Sequence, residues 1–210
     1  MQYRQQRDYE NLNKMIFEGT GYFEIPEILP DDPEVDNWIG FNYAKGCEEP
    51  EEHGIHFFID DYQFVRVWKQ PDMYLNMLRK FQAVCTPDFS TYTDFPKIIQ
   101  IYNHYRKHWL GAYWQMNGIR GIPTISWAGP DSYEWCFEGE PEGYTVAVSS
   151  VGTQADLESR KLFLAGYREM IARLSPKTII MYGNIPDGCQ GNIIPVKAFQ
   201  QKWRKNRLTQ

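Results

Sequence analysis

The chain has 210 residues, 42% of them hydrophobic and 23% charged, with a formal net charge of −5. That is a globular balance at the size of one ordinary domain, and it excludes wholesale disorder and a whole-molecule electrostatic attraction to nucleic acid. No run approaches the ~20 apolar residues of a membrane span, and residues 1–10 lack the apolar stretch of a secretory signal, so the expectation is a cytoplasmic protein with no membrane partner.

Residues 1–36 read as an irregular arm. A short amphipathic stretch from Tyr9 to Phe17 is followed by Gly19, Gly21, Pro26, Pro30 and Pro33, which break any regular pattern. Such an arm packs on the main body or on a partner. Residues 38–43 read as a first strand, and 46–53 as a solvated acidic loop. Residues 55–59 form a compact apolar strand ending at Asp60 and Asp61. Met73, Tyr74, Met77, Leu78 and Phe81 have helical spacing over 71–81. Residues 83–85 are a short strand. Pro96 stands at a first helical position, and Ile98, Tyr102, Tyr105, Trp109 and Tyr113 mark a helix that Asn117-Gly118 stops.

Residues 119–125 are the next strand, 132–137 a helical turn and 145–148 a fully apolar strand. Thr153 and Asp156 form a capping pattern for a helix whose apolar face includes Phe163, Tyr167, Met170 and Leu174. Residues 178–181 are a last strand before Tyr182-Gly183. Lys197, Lys202, Arg204, Lys205 and Arg207 then give a basic tail around Trp203, expected to be a solvated helical end. The division is an arm (1–36), an α/β core (37–196) and a basic tail (197–210). Five or six strand–helix units predict parallel strands joined by right-handed crossovers. A shortened or distorted TIM-like barrel is the first expectation, and an open doubly wound sheet is the alternative.

Cys47, Cys85, Cys136 and Cys189 are far apart, without zinc-ribbon spacing, and read as free thiols. His104 and His108 lie four apart on a helix, but no neighbouring carboxylate completes a ligand set in the sequence, so no structural zinc is expected.

Several segments resemble one bacterial and phage family. They are Gly-Ile-His-Phe-Phe-Ile-Asp-Asp-Tyr-Gln-Phe (54–64), Thr-Pro-Asp-Phe-Ser (86–90), Tyr-Arg-Lys-His-Trp-Leu-Gly-Ala-Tyr-Trp-Gln (105–115), Ile-Pro-Thr-Ile-Ser-Trp (122–127), Tyr-Glu-Trp-Cys-Phe-Glu-Gly (133–139) and Val-Ala-Val-Ser-Ser-Val-Gly (146–152). The family is a domain of unknown function, number 4417 in that series, and the similarity runs over 37–183. The resemblance implies a phage or mobile-element context and no catalytic role.

In parallel α/β folds, ligands bind outside the carboxyl ends of the strands. There the sequence offers Asp60 and Asp61, then Asp88, Ser90, Tyr92 and Asp94, then Ser126 and Trp127, Ser149 and Ser150, and Tyr182. Arg106 stands ready to clamp a carboxylate or phosphate. Asp60 and Asp88 are the expected catalytic pair. Converging carboxylates can hold Mg²⁺ or Mn²⁺, or act as general acid and base if burial separates their pKa values. The turn at 149–152 is a weak phosphate-binding candidate. Two functions compete. One is an enzyme acting on a nucleotide or nucleic acid, which the aromatic content of 16% would serve by stacking. The other is a non-catalytic module binding a host or phage protein or single-stranded nucleic acid.

Overall fold

A computed structural model describes residues 14–198. The carboxyl half of the arm forms a two-residue antiparallel pair, β1 (Gly19–Thr20) and β2 (Ile25–Pro26). The segment 14–17, the end of the amphipathic stretch, is not helical, and the rest of that stretch and residues 199–210 of the tail lie outside the described residues.

Seven strands follow: β3 (Asn37–Gly40), β4 (His53–His56), β5 (Ala83–Cys85), β6 (Gly121–Ile122), β7 (Thr145–Ser149), β8 (Thr178–Tyr182) and β9 (Ile193–Val196). All pair in parallel and in sequence order, β3 to β6 and β7 to β9, and among the described residues a single parallel bridge, Thr124 to Ala147, joins the two sets. The order never reverses, so the doubly wound alternative is corrected: its strand order must switch direction. The sheet curls instead. The His56 and Phe58 rings lie 4.5 and 5.1 Å from that of Tyr182. Four strand spacings separate β4 from β8, which in a flat sheet is about 19 Å. No hydrogen-bonded register joins β9 to β3 among the described residues.

The short helices α1 (Phe41–Ala44), α2 (Asp61–Phe64), α3 (Arg66–Lys69) and α4 (Asp72–Leu78) lie among the first strands. Two long helices, α5 (Lys97–Met116) and α6 (Leu157–Leu174), cover the outer side. Strand residues alternate as a sheet covered on both faces demands. Val84 packs outward with Trp109, Leu110 and Trp114 of α5, and Val146, Val148, Ile179 and Met181 pack outward with Phe163, Tyr167 and Met170 of α6. The residues between them, Ala83, Cys85, Ala147, Ile180 and Tyr182, form an inner cluster that gathers from every strand of the curl but β4, beyond whose end Phe58 joins it.

Several boundaries move. The strand expected at 38–43 ends at Gly40, just before α1, and the strand expected at 119–125 is confined to Gly121–Ile122. The strand expected at 55–59 starts two residues earlier and ends at His56; beyond it Ile59 N–H donates to the Phe57 carbonyl at 2.7 Å and turns the chain. α6 begins after Asp156, which caps the Ser159 amide at 2.8 Å, so Thr153 stands outside the helix. All four cysteines are unbridged. Among the described residues no helix is long and apolar enough to cross a membrane.

Candidate functional site

The strand ends open into a cavity of about 790 Å³. Asp60, Asp88, Ser90, Tyr92, Ser126, Trp127, Ser149 and Tyr182 line it. Asp60 and Asp88 reach it from neighbouring strands, since Ile55 of β4 pairs with Val84 of β5. Asp60 is exposed at the start of α2 and makes no capping bond there; Gln63 Nε2 donates to it at 3.5 Å. Asp88 is half-buried. Burial pushes its carboxyl up to about 7, with Asp61 adding to the rise and the Lys107 ammonium opposing it.

Four expected site residues are placed elsewhere. Asp61 turns away from the cavity and accepts from the Ser90 hydroxyl at 2.8 Å and its amide at 3.2 Å, so it ties the end of β4 to the loop after β5. Asp94 is exposed off the cavity. Arg106 lies behind the loop after β5: its guanidinium stacks 3.9 Å from the Phe89 ring centroid and donates to Asn103 Oδ1 at 2.5 Å. Ser150 is buried, its hydroxyl donating to the Asn184 carbonyl at 2.5 Å. The phosphate-turn expectation weakens with it. Val151 N–H already donates to Ser149 Oγ at 3.2 Å, and the carboxylate of Asp156 occupies the amides that open α6.

Asn42, His56, Gln63 and Lys197 also line the cavity and escaped sequence reading. The strand-end rule could have found two of them. With β3 set at 38–43 and β4 at 55–59, Asn42 and His56 fall inside strands rather than at their ends. Lys197, assigned to the solvated tail, stands on the cavity wall beside buried Ala198.

Beneath the site lies a buried charged cluster on α5. Lys107 Nζ donates to the Thr124 carbonyl at 2.6 Å and to Glu140 Oε1 at 2.8 Å. The His108 ring sits between the Pro26 carbonyl, 2.8 Å from Nδ1, and the same Glu140 oxygen, 2.9 Å from Nε2. Burial pushes the Glu140 carboxyl up, but His108 and Lys107 outweigh it and hold the group below its ordinary value. Burial holds the neighbouring His104 imidazole well below its ordinary value. His104, His108 and Glu140 bring ligand atoms within 4.8 Å of one another, so a carboxylate does complete the histidine pair in space. The Lys107 ammonium already holds that carboxylate, and a cation brought beside it meets its repulsion.

The family model described as a domain of unknown function (DUF4417) matches residues 17–200. Two phage proteins, each described as "Gene 1 protein", are 37% identical to the chain over 202 residues, which is 95% of it. The match covers 88% of the protein from Mycobacterium phage L5 and 74% of that from Mycobacterium phage D29. No solved structure matches.

Proposed function

The chain belongs to the DUF4417 family, and from that premise we propose that it is a phage or mobile-element enzyme acting on a nucleotide or nucleic acid through Asp60 and Asp88. The observation that carries this reading is a strand-end cavity lined by both a half-buried aspartate and an exposed one. Asp88, held near neutrality, suits a general acid or base, whose best pKa lies near the working pH. Aromatic rings such as Trp38, Trp127 and Phe163 give the same cavity stacking surfaces for a base. In this reading the curled sheet is a shortened, TIM-like barrel, and the protein acts in the cytoplasm. Asp60 and Asp88 are the residues that would hold Mg²⁺ or Mn²⁺, which would supply charge stabilisation for a phosphoryl oxygen or an activated water, and there is no structural zinc.

The test compares Asp60→Asn and Asp88→Asn with the wild type in phage growth and in nucleotide turnover with Mn²⁺. Both variants are expected to fold and to lose function by a factor of ~100 or more, the scale of a lost acid or base. Full function in both, with lower melting temperatures, makes the carboxylates structural and overturns the reading. Unchanged nucleotide turnover with lost capture of a phage or host protein would favour the binding module.

A further inference from the structure

Trp127 stands in the loop after β6, half-buried, and lines the strand-end cavity. Its indole is seated on α6. A Cβ built on Gly166 would lie 2.2 Å from Nε1 and 2.4 Å from each of Cδ1 and Cε2. Nε1 is bonded to both carbons, so a point beyond the ring edge at Nε1 would lie much farther from the carbons than from the nitrogen. Near-equal distances to all three atoms put that point over the face of the ring. One face of the indole therefore rests on the α6 backbone, and Gly166, buried in mid-helix, is the residue that lets it lie there. The opposite face is the one that the half-buried ring offers to the cavity. Phe163, three residues earlier on α6, braces the indole: the ring centroids are 5.4 Å apart, at an interplanar angle of 38°, and both rings line the same cavity.

A flat ring with one face fixed and the other open is a stacking platform. Stacking strengthens with the apolar area that is covered. The indole has two fused rings, so a purine covers it, whereas the single ring of a pyrimidine leaves part of it bare. Resting on the nucleotide reading above, we propose that Trp127 is the base platform of this cavity and that it makes the site select purine over pyrimidine nucleotides.

The probes are AMP, GMP, CMP and UMP, titrated calorimetrically into the full chain. The readout is the ratio of purine to pyrimidine affinity, which a general collapse of the cavity would not lower, because it weakens every ligand alike. The wild type is expected to bind at least one purine monophosphate about fivefold or more tightly than either pyrimidine, the lower end of what one base–aromatic stack contributes. Trp127→Ala should bring that ratio close to one. Trp127→Phe keeps a flat face of one ring, so it should still bind all the nucleotides that the wild type binds but with a smaller ratio, and it decides the matter if Trp127→Ala does not fold. If the folded variants keep the wild-type ratio, Trp127 is not the platform, and the nucleotide reading stands. A wild type that binds purines and pyrimidines alike overturns the inference in the same way. A wild type that binds none of the four monophosphates overturns the nucleotide reading and this inference together.

Discussion

Asp88 and Glu140 are both acidic residues in the interior, and their neighbours set them apart. Glu140 accepts from the Lys107 ammonium and bonds the His108 ring, and these neighbours hold its carboxyl below the ordinary value against the pull of burial. Asp88 has no such contact, and burial dominates its titration. A carboxyl whose folded pKa lies near 7 binds its proton more tightly folded than unfolded, where it titrates at its ordinary value of 3.8. Between those limits the native state holds more protons, so Asp88 makes stability fall as pH rises, with no contribution below about pH 4. Asp88→Asn, which stays neutral, should therefore melt higher than the wild type at pH 8, on the order of 5 °C, and equally at pH 4. Thermal melts at the two pH values check this, and an equal or lower melting temperature at pH 8 would show that the native site favours the carboxylate. Asp88 was legible in the sequence because it follows a short apolar strand. Its difference from Asp61 was not, because both are aspartates after a strand, and only the Ser90 contact shows which is held as a clamp.

At the scale of elements, α5 and α6 show how much a pattern conveys. The helical spacing of 98–113 locates α5, but Ile98 at its start is 70% exposed while Gln100, Asn103, His104, Lys107 and His108 are buried. The reason is tertiary. The sheet covers one side of α5 and the arm another, so polar residues are buried where arm and loop carbonyls accept from them: Pro26 from His108 and Glu138 from His104. On α6, Gly166 is the point of close approach. A Cβ there would lie 2.2 Å from Nε1 of Trp127, a cavity wall residue. Gly166→Ala should gain slightly in helix propensity and lose far more by driving the indole from its seat, a net loss of about 1–3 kcal/mol. Chemical denaturation measures that loss. The same variant should weaken ligand binding at the strand ends, and unchanged stability would mean that Trp127 moves freely.

Across the whole molecule, the arm laces the body together. Trp109 Nε1 donates to the Met15 carbonyl at 2.7 Å, Gln115 bonds both the amide and the carbonyl of Leu29 at 2.8 Å, and Arg120 donates to Asp31. Asp32 accepts from the Thr145 amide at the start of β7 and from Lys177 just before β8, each at 2.9 Å. These contacts bridge the two strand sets, which a single β-bridge joins among the described residues. The full chain should therefore unfold in one cooperative calorimetric transition. A chain starting at residue 37 should lose its sharp transition, because buried partners such as the His108 ring would lack their acceptors. Two separated peaks in the full chain, or an unaltered melt after truncation, would contradict the lacing.

The alternation of parallel strands and long helices, the strand ends as the place of the cavity, and Asp60 and Asp88 upon it are all written in local pattern, because periodicity and turn residues act over a few positions. It took the folded chain to show that the sheet curls without reversing, that Asp61, Arg106 and Ser150 bond within the scaffold, and that Glu140 joins His108 and Lys107 from 32 and 33 residues away. The fold also sets Asn42, His56 and Lys197 along the same cavity as Asp88. Those outcomes depend on which surfaces meet across long separations in the chain, and no local pattern records them.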